Sequence, residues 1–329
     1  MSATGWLGGV VDAMLEASVV GSFTRVGVRV RRRMLPWEDL PPDCLRGKVV
    51  VLTGGTSGLG ESAVESLARL GAHVTMVARN PSKADAACER LRALTGNPAI
   101  DYVVADTGDL RAVRRVADEL GARHPRGVDV LIHNAGSLDD RYAASADGIE
   151  QTLASHVVGP YLLTTRLLPA LRAAAKRGPA RVLWVSSGGM YSEPLRVDDL
   201  AMGAADYDGV TAYARAKRAQ VTLAEMLAVR YAPDDIRVHC MHPGWADTPG
   251  VARSLPRFRR VMGPLLRTAA EGADTLVWLA ASEDAPLAES GRFWLDRAPR
   301  SIHRSGASGR SDTPAERERL AAWLDRVTA

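Results

Sequence analysis

Val49-Val50-Val51-Leu52-Thr53-Gly54-Gly55-Thr56-Ser57-Gly58-Leu59-Gly60 decides how the rest of the chain is read. Four consecutive apolar residues, three of them β-branched, fit a strand buried on both faces. Beyond the glycines, Ala63, Val64, Leu67, Ala68 and Leu70 recur at helical spacing until Gly71 stops them. A strand, a glycine-rich turn and a helix in this order form a cradle for a dinucleotide. Gly54 permits the tight turn, Gly58 lets the backbone approach a pyrophosphate, and Gly60 lets the helix pack close to the strand. The free N–H groups of the helix start complete the anion site. No Gly-Lys-Ser/Thr follows, so this is not a Walker loop.

Outward from this stretch the alternation continues. Strands are expected at Val74–Ala78, Ile100–Val104, Val128–Ile132, Arg181–Val185, Ile236–Met241 and near Arg292–Leu295. Between them, helical patterns run near Lys83–Leu94, Leu110–Leu120, Gly148–Leu171, Val210–Tyr231 and Glu271–Ala281. Strands alternating with helices imply right-handed crossovers and an α/β fold, a Rossmann-type doubly wound parallel sheet of about seven strands. One domain at 46–296 is expected, with an N-terminal arm and linker at 1–45 and a C-terminal tail and helix at 297–329. Ser301 to Ser311 reads as a loop. Thr313-Pro314-Ala315-Glu316 has the form of a capping box opening the last helix.

Composition bounds the function. The 329 residues are 46% hydrophobic and 24% charged, which describes a globular chain with ample core. The net charge of +4 and 5% aromatics do not describe a nucleic-acid binder, and no nucleic-acid partner is expected. Three cysteines, Cys44, Cys88 and Cys240, match no zinc or disulfide pattern, so a reducing, cytoplasmic setting is the default. Residues 6–35 combine an apolar run, interrupted by Asp12 and Glu16, with Arg25, Arg29, Arg31, Arg32 and Arg33. This segment reads either as a peripheral membrane contact or as an arm packed on the body with its arginines solvated.

With the motifs in place, the chain resembles the short-chain dehydrogenase/reductase superfamily. The loop has that family's Thr-Gly-x-x-x-Gly-x-Gly form, and Asn134-Ala135-Gly136 follows the fourth strand. Ser186-Ser187 ends the fifth, Tyr213-Ala-Arg-Ala-Lys217 opens the next long helix, and Pro243-Gly244 with Thr248 follows the sixth. Ser187-Gly-Gly-Met190 and Met241-His-Pro-Gly-Trp-Ala-Asp-Thr-Pro-Gly-Val251 look like one orphan branch of that family, called dehydrogenase/reductase member twelve in animals. The resemblance supplies no substrate.

It does imply a site. Tyr213 and Lys217 lie four apart on a helix and share a face. A tyrosine titrating at about 10 is a poor acid or base at neutral pH, and a neighbouring ammonium favours its phenolate. Ser187 would hydrogen-bond the substrate oxygen while Tyr213 exchanges its proton, and Lys217 would also hold the nicotinamide ribose. Thr53, Gly54, Thr56, Ser57, Gly58, Leu59, Gly60, Asn134, Ala135, Gly136, Pro243, Gly244 and Thr248 would line the cofactor, with Asp106 at the adenine. Arg79, in place of an acidic residue after the second strand, favours NADP(H) over NAD(H) through the 2′-phosphate.

One position departs from the family. Its asparagine on the helix after the fourth strand, which holds a water for the lysine, is His156 here. An imidazole in that relay would add an ionisation near its ordinary pKa of about 6.5. His239 and His242, flanking Cys240, sit on a strand whose side chains alternate, so no metal site is expected. The stretch Trp245 to Arg267 reads as the substrate loop, with Leu255, Phe258, Val261 and Met262 suited to a small lipophilic carbonyl or alcohol. The helices near 148–171 and 210–231 are the candidate homodimer face. The competing reading, a catalytically weak nucleotide-sensing protein on the same fold, rests on His156.

Overall fold

The structure, a computed structural model, describes residues 3–304 and 306–329. Met1, Ser2 and Ser305, which fall in the expected arm and tail, lie outside the described residues. Its centre is one sheet in the order β3-β2-β1-β4-β5-β6-β7-β8. The strands are β1 Val49–Thr53, β2 His73–Ala78, β3 Ile100–Val104, β4 Val130–His133, β5 Ala180–Val185, β6 Ile236–Met241, β7 Phe293–Leu295 and β8 Ala298–Arg300. Every neighbouring pair through β7 is parallel, and helices cover both faces, so strand side chains on both sides enter a core. The strand order reverses between β1 and β4, which opens a crevice at their carboxyl ends, where open α/β sheets bind ligands.

Two expectations need correction. The sheet gains an eighth strand, β8, antiparallel to β7 across the two-residue turn Asp296-Arg297. Both turn residues have positive φ, 53° and 56°, as such a tight hairpin requires, although neither is glycine or asparagine. Arg297 is held there by bonds of 2.8 and 2.7 Å to Asp274. The expected long helix at Gly148–Leu171 is broken instead. It starts at Gln151, capped by the Glu150 carboxylate, widens into a π turn at Ala154–Val158, resumes at Gly159–Arg166 and restarts at Leu168–Ala175. Pro160 and Pro169, each within the first turn of its segment, explain the restarts.

The tail also differs in detail. A short helix, Gly306–Ser311, interrupts the expected loop. Thr313 caps Pro314–Thr328 by accepting from Glu316 N, but the Glu316 carboxylate binds Val197 N rather than closing a box. The complete capping box is Thr268 with Glu271. Leu320 and Leu324 are fully buried, and Arg317 pairs with Glu225 while Asp325 bonds Tyr161. Part of the face expected to carry a homodimer contact is thus packed within the chain.

The N-terminal arm forms helices Ala3–Ala17, Val19–Phe23 and Arg25–Met34. Its arginines are not uniformly solvated: Arg31 is 1% exposed and donates to Asp296, Asp12 and Glu16, each at 2.7 Å. Arg267, equally buried, grips the other side of Asp296 at 2.6 and 2.9 Å and donates to the carbonyls of Ser22 and Phe23. The acids that interrupt the apolar run are therefore docking contacts. Removing the shared carboxylate charge would leave the buried Arg267 guanidinium with no acidic partner among the described residues and Arg31 with Asp12 and Glu16 alone. Asp296→Asn, which keeps the residue's tolerance of positive φ, should lower unfolding free energy by about 3–5 kcal/mol in urea titrations.

Candidate active site

The crevice is built by a clasp between β1 and β4. Thr53 Oγ1 accepts from Asn134 N at 3.1 Å and Ala135 N at 3.0 Å. The Asn134 amide donates to the carbonyls of Thr53 and Gly54, both at 3.0 Å. Thr53 and Asn134 therefore hold the loop in shape with their own polar groups. Gly54 has φ +77°, and a Cβ on Gly60 would lie 2.1 Å from the Gly54 carbonyl oxygen, so helix and loop meet at backbone distance. Gly58, φ +57°, lies beneath Thr248 and Pro249. The helix it opens, Gly58–Arg69, has no side-chain cap from Ser57, leaving a helix start whose N–H groups meet no side chain among the described residues. This is a fit for a pyrophosphate over Thr56, Ser57, Gly58, Leu59 and Gly60.

At the rim, Arg79 is exposed and makes no hydrogen bond or ion pair among the described residues. Asn80 caps the following helix through Lys83 N, leaving the guanidinium beside it uncommitted. One Asp106 oxygen accepts from Gly108 N at 2.8 Å. Gly244, φ +71°, is needed for a different approach: a Cβ there would lie 2.3 Å from Arg267 Nε and 2.7 Å from the Phe23 carbonyl oxygen. Beside it, Pro243 O accepts from Arg267.

Ser187 caps a 3-10 turn at the end of β5, accepting from Gly189 N at 3.2 Å. Tyr213 and Lys217 come from the helix Gly209–Tyr231, whose start is fixed by the Asp208 side chain accepting from Thr211 N. Ser187 and Tyr213 are partly exposed and adjoining, whereas Lys217 lies behind them, buried. Its ammonium stands 5.2 Å from the Tyr213 ring centre and donates to the Val185 carbonyl at 2.9 Å. No carboxylate pairs with it among the described residues, so burial lowers its pKa to about 8. Burial raises Tyr213, and the Ser187 hydroxyl opposes that shift.

His156 occupies the π turn with its ring edge-on to Tyr213, centres 5.5 Å apart. A Cβ on Gly136 would lie 2.9 Å from this ring, so Gly136 makes room for it. Ser137 N donates to His156 Nε2 at 3.0 Å, which requires a lone pair there and puts the proton on Nδ1. Burial, then the Lys217 charge, hold its pKa well below 6.5. The expected ionisation near neutrality is therefore corrected: a second proton would cost the Ser137 bond and create a buried cation beside another. Among the described residues His156 Nδ1 and Gln220 Oε1 have no partner, while Gln220 Nε2 donates to the His156 carbonyl at 2.7 Å. Gln220 was not anticipated, although its position three residues after Lys217 puts it on the same helical face. His239 uses both ring nitrogens, on Pro286 O and Trp294 Nε1, which leaves none for a metal.

The stretch after β6 folds into short helices Pro249–Ser254 and Pro256–Met262. Ser254 Oγ donates to Leu138 O, joining this lid to the loop after β4. A surface cavity of about 560 Å³ lies at the lid among Asp247, Ala252, Pro256, Arg259, Arg260 and Gly263, and neither Ser187 nor Tyr213 lines it.

A family model described as short chain dehydrogenase matches residues 48–257. Dehydrogenase/reductase SDR family member 12 of Homo sapiens is 38% identical over 283 residues, 85% of this chain and 86% of its own length. Retinol dehydrogenase 14 of Mus musculus is 34% identical over 273 residues, 78% of this chain and 79% of its own. Among solved structures, the active-site complex of Pseudomonas aeruginosa RhlG with NADP superimposes with a TM-score of 0.63 at 25% identity, covering 82% of this chain and 98% of that one.

Lys217 should titrate measurably in the cofactor-free protein. Its pKa falls from an unfolded 10.5 to about 8, so between those values the unfolded chain binds more protons and unfolding free energy rises with pH. Relative to Lys217→Met, the wild type should gain about 3 kcal/mol across that window in urea titrations. Parallel pH dependences for the two proteins would contradict a buried, unpaired ammonium.

Proposed function

The chain belongs to the short-chain dehydrogenase/reductase family of NAD(P)-dependent oxidoreductases, and on that premise we propose that it interconverts a lipophilic carbonyl and its alcohol at Ser187, Tyr213 and Lys217, with NADP(H) preferred. The observation carrying this reading is the buried Lys217 ammonium, unpaired by any carboxylate among the described residues, behind a half-buried Tyr213. Structural packing alone would favour an apolar residue there, because burying an unpaired cation costs stability. The charge instead favours the tyrosinate over the neutral phenol.

When bound, the nicotinamide supplies or accepts the hydride. Ser187 Oγ donates to the substrate oxygen and fixes it against Tyr213. Tyr213 gives its proton to that oxygen in reduction and takes it back in oxidation. Lys217 stabilises the resulting charge, held in register by the Val185 carbonyl. His156 stays neutral, orients the Ser137 backbone and packs edge-on to the Tyr213 ring. The uncapped helix start would hold the pyrophosphate, and Arg79 would offer its planar fork to a 2′-phosphate. Exposed Val210, one turn before Tyr213, and exposed Tyr142 suit an apolar substrate at the approach.

Three measurements test the proposal. Tyr213→Phe should lower turnover on lipophilic ketones by about 10²–10⁴-fold while leaving cofactor affinity intact; near-normal turnover would refute the assignment. Calorimetric titration should give tighter binding of NADPH than NADH, with the order reversed by Arg79→Asp, and equal affinities would remove the role given to Arg79. The pH–rate profiles of wild type and His156→Asn should superimpose through the neutral range, since burial and the Lys217 charge keep the imidazole uncharged there. A neutral-pH acid limb confined to the wild type would restore the imidazole as a titrating relay.

A further inference from the structure

Exposed arginines of the body divide between those that pair with a carboxylate, such as Arg172 with Asp234, Arg90 with Glu61 and Arg319 with Asp198, and those that pair with none among the described residues, such as Arg111, Arg141 and Arg166. On the outer side of the arm and the lid, unpaired arginines lie in the same segments as open aliphatic side chains. Arg32, Arg33, Arg253, Arg257 and Arg260 are exposed and pair with no carboxylate among the described residues. Large aliphatic side chains lie open in the same segments: Val26 is 46% exposed, Val261 77% and Leu265 36%.

Arm and lid are joined physically. Arg25 donates to the Pro264 carbonyl, next to Leu265, and Arg29 pairs with Glu271 just beyond the lid. Phe23 and Phe258 both pack edge-on against Trp245, at 5.8 and 5.2 Å between ring centres. In the arm helix Arg25–Met34, Gly27, Val28 and Arg31 face inward, which leaves Val26, Arg29 and Arg33 on the opposite side.

We propose that this outer face of the arm helix and the lid docks on an anionic lipid bilayer. Unpaired cations alone would suit any polyanion. Exposed valine and leucine beside them fit the boundary between headgroups and acyl chains, where apolar side chains insert and arginines meet lipid phosphates. Among the described residues no helix is long and apolar enough to cross a membrane, so the contact is peripheral. This inference rests on the surface and is independent of the cofactor and substrate assignments.

Cosedimentation of the full chain with vesicles tests it, comparing phosphatidylcholine alone with phosphatidylcholine containing phosphatidylserine. Binding is expected only to the latter, weakening as salt is added. The Arg257→Gln/Arg260→Gln double substitution should weaken binding about 25-fold, at about fivefold per arginine, and Val261→Asp about tenfold. All three positions are exposed, and unchanged thermal unfolding will confirm that each variant is folded. Failure to bind the anionic vesicles, equal binding to both vesicle types, or binding that survives the arginine substitutions would overturn the proposal. Undiminished binding of Val261→Asp would do so as well, because purely ionic attachment points to an acidic macromolecule instead.

Discussion

Where the sheet reverses its strand order, two adjacent strand ends diverge and their last backbone groups lose sheet partners. The protein resolves this with one hydroxyl and one amide: Thr53 Oγ1 takes two N–H groups and Asn134 Nδ2 serves two carbonyls. Unmet, such buried groups would each cost about 1–3 kcal/mol. The clasp fixes Gly54 in its positive-φ turn and brings Gly60 against it. Both ends of the cradle, the glycine loop and Ala135-Gly136, inherit their positions from it. Gly136 in turn leaves the space that His156 fills.

Behind this crevice the protein accepts an electrostatic cost. Lys217 gives up most of its hydration for one backbone carbonyl, and the imidazole beside it is pressed further toward neutrality. Two buried titratable groups, both cationic when protonated, compete for a single charge, and geometry decides the outcome. The Ser137 N–H occupies the lone pair that a protonated His156 would need, so the lysine keeps the proton.

The local code of the crevice was legible because its steric demands fall on particular residue types. Glycines at Gly54 and Gly60, the Tyr213 and Lys217 spacing, and continuous apolar runs on β1, β4 and β5 all reflect short-range constraints. The broken helix after β4 was not legible: apolar positions kept their period through Leu153, Val157 and Val158 while the backbone slipped by a π turn to seat His156. β8 escaped because its turn is Asp296-Arg297, whose second residue is not a turn former and is held in positive φ by Asp274, while Asp296 is fixed by Arg31 and Arg267. The ionisation expected of His156 depended on an acceptor bond and a degree of burial that spacing does not encode.

The same arm that carries the unpaired cations has a bearing on assembly in time. Its inward contacts reach across almost the whole chain: Arg31 to Asp296 spans 265 positions, and the Phe23 carbonyl to Arg267 spans 244. During synthesis the arm emerges well before Asp296, which shares the charge of Arg31, and before Arg267, which shapes the ground beside Gly244. Long-range closure of this kind is slow. Until it occurs, the nascent chain must carry its arm undocked while the β1 to β6 framework forms, so a segment translated well before its partners is among the last to settle.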